Sequence, residues 1–564
     1  MKFSCFLLFL LTSLTISSQE KYPKDVFGSP LDIPIVLSGT FGELRNNHFH
    51  SGVDIKTQRR NGLKIYAPFE GYVSRIKISL WGYGKALYVT HPNGFTTVYA
   101  HLSKYGDGIE EYIKNVQYQK ENYQTGNAYP KPHELPVKKG QIIAYSGDTG
   151  GYVPPHLHYE FRDTKTEHII NPMHFGLTPK DTKAPTINSV VAYPLQSDSR
   201  INQRNKKEIL AIKNLGNNSY TTDRILASGT IGFGINVFDR LNDAPNKNGI
   251  YSLEMKVNGK RVYYHDVETF SFSESKYINL LIDYKHYSKY KRRYQKTHQV
   301  KGNTLSIYED LINKGRIKIN EGLSYSIEII AKDYKNNTSS IKIPVKGIKS
   351  NTIFKEIDTT AFKIHHQKFN KFSIKNVTVA FPKNTFYNDL FLDFKVKDGV
   401  ASIHNKTVPL DKKFTLTFNT SKYSKKEKKR LYIANVTNKK YPRHQYTRKR
   451  DSVFFTTTKT LGKYSLLSDN QKPKIYSINF TNEQNISKHN FLKVKIADVG
   501  SGIKSFRATI DNDWILMEYN LKKKELSYNF KDKKLVGNKH VFKIEVSDNV
   551  GNTNTASRTF YRKD

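Results

Sequence analysis

The chain of 564 residues has one cysteine, two tryptophans and four methionines. The cysteine is Cys5, so beyond the first residues there is neither a disulfide framework nor a thiolate metal site. Long apolar runs are missing as well. Only the N-terminus approaches the length that crosses a bilayer, which excludes a polytopic membrane protein. Acidic side chains are scarce, 50 Asp+Glu against 91 Lys+Arg, for a formal net charge of +41. Aromatic residues are plentiful at 13%, which argues against disorder. At one domain per roughly 100–200 residues, the length predicts three to five domains.

The first twenty residues read as an address. Lys2 precedes an apolar stretch from Phe6 to Ile16, and Ser17-Ser18-Gln19-Glu20 follows with small and polar residues. That is the layout of a secretory signal peptide, here 1–19. Cys5 lies before the apolar run, so it does not mark a lipoprotein. The expectation is export to the periplasm or cell envelope of a Gram-negative bacterium, with no transmembrane segment once the signal is removed.

What remains is predicted to be mainly β. Residues 20–178 show short strand-like runs punctuated by glycine, such as Gly71 to Ile76 and Ala86 to Thr90. Asn93-Gly94 between two such runs predicts a two-residue hairpin. Pro179 to Pro185 reads as a linker. Beyond it helical periodicity is nearly absent, and strand-like runs recur at sandwich-like spacing. A weak repeat opens at Ala184-Pro185-Thr186-Ile187 and again at Lys472-Pro473-Lys474-Ile475. Each copy closes with a strand, an aspartate, an asparagine four residues later, and another strand: Asp333 with Asn337, Asp548 with Asn552. These pairs read as tight turns. Calcium is the alternative, disfavoured because too few carboxylates cluster there. The predicted division is 20–178 as the front domain, 179–349 and 471–564 as immunoglobulin-like β domains, and 350–470 as a further β-rich domain, each held by its own core.

The charge is unevenly placed. Residues 19–178 hold 18 basic and 15 acidic residues, whereas 179–564 hold 72 and 35. A basic rear fits anionic polymers of the envelope, or a codon-driven excess of lysine with no role. No nucleic-acid motif is present, so nucleic acid is not an expected partner.

Histidine carries the chemical information. The front has three clusters: His48-Phe49-His50-Ser51-Gly52-Val53-Asp54, Tyr99-Ala100-His101-Leu102, and His156-Leu157-His158-Tyr159-Glu160. In a strand His156 and His158 share a face, as do His50 and Asp54 if that segment is extended. Two imidazoles and a carboxylate at one point suit Zn²⁺, and three protein ligands leave a fourth position for water. No H-E-x-x-H helix is present; His133-Glu134 lies among prolines and reads as loop. His48 reads as a non-ligand, and His168 and His174 as surface residues. Glu160 is expected to point away from His158, into a structural salt bridge.

The order H-x-x-x-D, Y-A-H-L, H-L-H resembles the LytM/lysostaphin-type zinc metallopeptidases that cut peptidoglycan cross-bridges. The flanks agree: Phe41-Gly42-Glu43-Leu44-Arg45, Gly82-Tyr83-Gly84, Ser146-Gly147-Asp148-Thr149-Gly150 and Asn171-Pro172. The resemblance spans about residues 35–175. It implies an antiparallel β-sheet peptidase domain at 20–178, with His50, Asp54 and His158 as Zn²⁺ ligands and His101 and His156 as unligated catalytic histidines. His156 is assigned as base and His101 as partner of the oxyanion or leaving group. Peptidoglycan peptides are the implied substrate. An inactive relative that activates another wall hydrolase is the first alternative, although every ligand position is filled; an envelope adhesin is the second. Tyr105 to Pro136 exceeds the family's usual connection, with a helical stretch at Ile109 to Lys120, and is expected to wall one side of the groove.

Overall fold

The computed structural model describes residues 21–151, 154–349 and 359–563. The predicted signal peptide and residues 350–358 at the start of the third predicted domain lie outside them. The architecture is mainly β. No helix among the described residues is long and apolar enough to cross a membrane.

The front is built on one antiparallel sheet. Its main strands are β1 (Leu37–Gly39), β2 (Val53–Lys56), β3 (Gly71–Ile78), β4 (Lys85–Thr90), β5 (Phe95–Ala100) and, after a helix α1 (Asp107–Lys120), β6 (His156–Asp163). They lie in the order β1-β2-β6-β5-β4-β3. The last strand in sequence therefore sits in the middle, between β2 and β5, where it is hydrogen-bonded on both edges. Burial follows from that position: in β6 only the last residue, Asp163, is not fully buried. β4 and β5 form the hairpin predicted at Asn93-Gly94, but its turn is longer than two residues. His91 N–H donates to Phe95 O at 2.9 Å, and Gly94 takes a φ of +86°. The histidine thus belongs to the turn.

Two glycines permit the approaches on which the sheet depends. A Cβ at Gly52 would lie 2.3 Å from the Tyr159 carbonyl oxygen, and one at Gly147 would lie 2.7 Å from that of His101. Both positions bring main chain against a strand or loop that carries a site histidine, so a side chain there would push the histidines apart.

Behind the front lie β-sandwich sheets. Strands between Thr186 and Gly347 form a 13-stranded assembly, two five-stranded sheets follow, and the last region pairs a four-stranded with a five-stranded sheet. Helices here are short, the longest among the described residues being Tyr284–Tyr290. The two Asp-x-x-x-Asn sequences sit between paired strands, Ser324–Lys332 with Thr338–Gly347 and Lys539–Asp548 with Thr553–Tyr561.

The front core is not closed by its own residues alone, contrary to the expectation of self-contained cores. Ile169 pairs with Phe270, extending the front sheet with a strand from beyond the linker. Phe270 is fully buried and packs against Phe41 and Phe49, with ring centroids 4.9 and 5.2 Å apart. Ile278, Leu281, Leu305 and Ile307 join the same cluster. Local sequence pattern marks each as apolar but says nothing about which core takes it. Phe270→Ala is therefore expected to destabilise the front by about 3–5 kcal/mol, the usual cost of emptying a buried phenylalanine site. Urea unfolding followed in the front domain measures it; an unchanged midpoint would show that this packing is dispensable.

The insertion at 105–136 contains the expected helix, α1. It docks the last sandwich onto the front: Lys114 meets Asp532 at 2.7 Å, Tyr118 packs edge-on against Trp514, and Glu121 pairs with Arg507. The buried Lys85 ammonium meets Glu518 at 2.9 Å, and Lys522 meets Asp148 at 2.6 Å. The strand Glu518–Asn520 of the last sandwich and the turn that follows it thereby lie against the 148–151 loop.

Candidate metal centre

His158 leaves the central strand β6 directly opposite Asp54 of β2, so the pleat puts both on one face. His50 arrives from outside the ladder. Its N–H donates to Glu43 O, and its carbonyl accepts from Gly42 N–H, in a short loop that folds back onto β2. The segment from His50 to Asp54 is thus not extended throughout, yet the two side chains still converge. His50 Nε2, Asp54 Oδ1 and His158 Nδ1 form a triangle with edges of 3.0, 3.0 and 3.1 Å. Ligands about 2.0–2.1 Å from one tetrahedral ion are separated by about 3.3 Å, close to these edges.

Hydrogen bonds behind the rings decide which nitrogens face the triangle. His50 Nδ1–H donates to the Thr40 carbonyl at 2.8 Å, which leaves Nε2 with its lone pair forward. His158 Nε2–H donates to Glu160 Oε1 at 2.8 Å, which leaves Nδ1 forward. With both rings neutral, three acceptor atoms face one another with no proton between them, a set that a cation satisfies. A ligating histidine with its second N–H anchored on a carbonyl or carboxylate is the usual support of a metal site. The residues present therefore fit a metal ion.

The electrostatics agree. Burial raises the Asp54 carboxyl, but the His50 and His158 rings outweigh it and hold the group well below the ordinary carboxylate value. Burial lowers His158, but its bonds to Asp54 and Glu160 win and raise it to about 9. In the metal-free cluster a proton at His158 thus stands where a cation's charge belongs. Arg45 takes the other Asp54 oxygen, Oδ2, at 2.9 Å and leaves Oδ1 aimed at the rings.

Glu160 does not point away from His158. Residues i and i+2 of a strand share a face, so alternation itself places it behind the ring. Its salt bridge is real, with Arg162 Nη2 2.6 Å from Oε2. Ser51 Oγ–H donates to Oε1 at 2.6 Å, and Tyr83 O–H donates there too. Burial pushes this carboxyl up, but Arg162 and the bond from His158 hold it below the ordinary value. Glu160→Gln keeps the size and an acceptor while removing the charge. It is expected to weaken metal affinity by about 10–100-fold. Competition against a chelator of known affinity reads this directly, and wild-type affinity would remove Glu160 from the support of His158.

His101 and His156 lie on the same side of the centre, with ring centroids 4.6 Å apart. His101 follows β5 with a φ of +61°, a left-handed turn that swings its ring out of the ladder. Its Nδ1–H donates to the Thr149 carbonyl at 2.8 Å, and His156 Nδ1–H to that of Pro154 at 2.8 Å. Both therefore keep Nε2 free of their own anchor, and His156 Nε2 is 3.6 Å from Asp54 Oδ1. Burial, helped by the neighbouring histidines, lowers His101 to about 3, so it is neutral at physiological pH.

The remaining histidines stay outside. His48, His133 and His168 are exposed. His174 is half-buried rather than on the surface, stacked on Tyr22 with Tyr334 at its edge. Sequence reasoning missed the anchoring carbonyl of Thr40, the Arg45 clamp and the roles of Tyr83 and Glu160. Only Glu160, at i+2 from His158, had a local signal.

An antiparallel β domain in which a His-Asp-His set converges beside two further imidazoles defines, as a class, a metallopeptidase-like domain. Residues 48–172 match Peptidase family M23. Residues 361–469 match a Zu5-like domain. An "Uncharacterized metalloprotease" of Haemophilus influenzae is 34% identical over 112 residues, 20% of this chain and 18% of its own length. A "DD-carboxypeptidase/endopeptidase Mpg" of Neisseria meningitidis serogroup B is 31% identical over 136 residues, 24% of this chain and 25% of its own. The chain thus spans a quarter or less of the length of these curated relatives. The catalytic domain of the antimicrobial peptidase lysostaphin from Staphylococcus simulans is similar over 28% of this chain and 93% of that one, at 25% identity and a TM-score of 0.18.

Proposed function

We propose that the protein is an exported zinc metalloendopeptidase that hydrolyses peptide cross-links of bacterial peptidoglycan. The triangle of His50 Nε2, Asp54 Oδ1 and His158 Nδ1, with both rings anchored from behind, carries the reading. These three residues hold the zinc. When bound, it supplies Lewis acidity that acidifies water to a pKa of about 7 and polarises the scissile carbonyl.

The chain's own groups do the rest. Thr40, Glu160 and Arg45 keep the three ligand atoms aimed at one point. His156 Nε2, beside the triangle, takes the proton from the attacking water as the C–O bond forms. The proton then passes to the amine nitrogen as the C–N bond breaks. His101 faces the developing oxyanion or the leaving amine. Its Nδ1–H is committed to Thr149, so it donates from Nε2 only by relaying to the amine the proton that His156 took from water. Lys522 meets Asp148, next to the Thr149 carbonyl that anchors His101, so the last sandwich borders this side and limits which peptides reach it, and α1 holds that sandwich in place. The division at 20–178, 179–349, 350–470 and 471–564, with immunoglobulin-like flanking domains, belongs to the same reading. So does attachment of the basic rear to anionic envelope polymers, which fades with salt if it is electrostatic.

The test uses the chain without residues 1–19 and purified cross-linked muropeptides. Dimers are expected to yield monomers, to stop doing so with a chelator, and to resume with Zn²⁺. Protein that carries stoichiometric zinc yet leaves dimers intact, while stimulating a second hydrolase, would replace this reading with that of an inactive activator.

A further inference from the structure

The two Asp-x-x-x-Asn turns do more than reverse the chain. Asn337 Nδ2–H donates to Asp333 Oδ2 at 2.7 Å and reaches the Asp181 carbonyl at 3.5 Å. Asn552 Nδ2–H donates to Asp548 Oδ2 at 2.6 Å and to the Asp469 carbonyl at 3.1 Å. Each turn thus catches the segment that leads into its own sandwich, and that segment brings an aspartate. A third comes from just beyond a strand end, Asp239 after Ile225–Phe238 and Asp498 after Phe491–Ala497. In both places one oxygen from each of the three carboxylates lies within 4.8 Å of the others. Counting carboxylates along the sequence finds too few because the three are far apart in the chain.

Three carboxyl groups at one point need a reason to meet. Among the described residues none of these six aspartates forms an ion pair. Asp239 is 2% exposed, and its Oδ1 has no hydrogen-bond partner. Asn248 faces it across an antiparallel bridge in which the two exchange both backbone bonds, so their side chains leave on one face. Asn248 is 3% exposed, and neither its Oδ1 nor its Nδ2 is partnered. Asp181, Asp239 and Asp333 line a cavity together with Tyr251 and Tyr334. Burial, then the charges of Asp181 and Asp333, raise Asp239 to about 8; Asp333 is raised to about 6, chiefly by burial. In the last sandwich Asp498 Oδ1 and the Ser501 hydroxyl, on a residue 1% exposed, are likewise unpartnered. Buried acceptors left open call for an occupant. Oxygen-only donors in an irregular cage suit calcium, which takes 6–8 oxygens at about 2.3–2.6 Å, better than magnesium, which demands near-octahedral order.

We propose that Asp181, Asp239 and Asp333 bind a calcium ion where the chain passes from the peptidase domain into the first sandwich, and that Asp469, Asp498 and Asp548 bind a second at the start of the last sandwich. The first ion adjoins the peptidase site through main chain. Gly249, next to Asn248, donates to Thr40 Oγ1 at 3.0 Å, and the Thr40 carbonyl carries His50.

The experiment is a terbium titration of the chain lacking 1–19, freed of metal, in a His158→Ala background so that the peptidase centre does not contribute. Tyr251 and Tyr334 serve as the antenna for the first site. Two terbium ions per chain, displaced by Ca²⁺, are expected. Asp239→Asn and Asp498→Asn should each lose one, and the double variant both. Ca²⁺ should raise the melting temperature of the parent and less that of either variant, whereas in chelator Asp239→Asn should melt no lower than the parent, since it relieves repulsion. Absence of Ca²⁺-displaceable emission, or emission unchanged in the double variant, overturns the proposal. Displacement by Mg²⁺ as effective as by Ca²⁺ overturns the choice of ion.

Discussion

Replacing Asp54 or His158 with alanine is expected to remove the metal and to lower kcat/KM by about 10⁴-fold. The magnitude follows from what the ion contributes. Lewis-acid stabilisation of the developing charge is worth several kcal/mol, and each 1.36 kcal/mol is a factor of ten in rate. Two ligands of three do not hold an ion that the third must close over, so the loss is larger than that of a single hydrogen bond. The fold should survive both changes. Glu160 keeps Arg162, Ser51 and Tyr83 when His158 is gone, and Arg45 keeps Glu43 when Asp54 is gone. Burial of β6 rests on Leu157, Tyr159 and Phe161, which neither substitution touches. Metal content by elemental analysis and muropeptide turnover read the two effects separately. Full turnover in His158→Ala, or stoichiometric metal in Asp54→Ala, would refute the ligand assignment.

The site is partly legible in the sequence because its residues come in short clusters with fixed spacing. His156 and His158 share a face by alternation alone. Asp54 and His158, however, are 104 residues apart and meet only because β6 inserts between β2 and β5. Strand order of that kind leaves no local trace; the resemblance to known peptidases supplied only the grouping of the residues. The β character of the rear is legible from alternation and turn residues. What escapes are contacts between parts: Phe270 in the front core, Glu518 on Lys85, and aspartates gathered from three segments. Each of those residues has an ordinary local role, apolar, charged or turn-forming, and only tertiary pairing gives it a second one. Glu160 is different, because its signal is present in the i, i+2 rule.

His101→Ala and His156→Ala are expected to retain the metal while kcat falls by about 10²–10⁴-fold, the usual worth of a positioned acid or base. Retention follows from how the rings are held. Each is fixed through Nδ1 by a backbone carbonyl, Thr149 for His101 and Pro154 for His156, so neither orients a ligand of the triangle. The double variant should fall little below the worse single one, since two groups that pass one proton fail together rather than in sequence. The pH profile separates their roles. The acidic limb of kcat/KM reports protonation of the base in the free enzyme. If His156 is that base, the limb disappears in His156→Ala and persists in His101→Ala, whose ring burial already keeps neutral down to about pH 3. Metal lost from either variant would instead make that histidine part of the ligand set, and an acidic limb that survives His156→Ala but vanishes with His101→Ala would exchange the two roles.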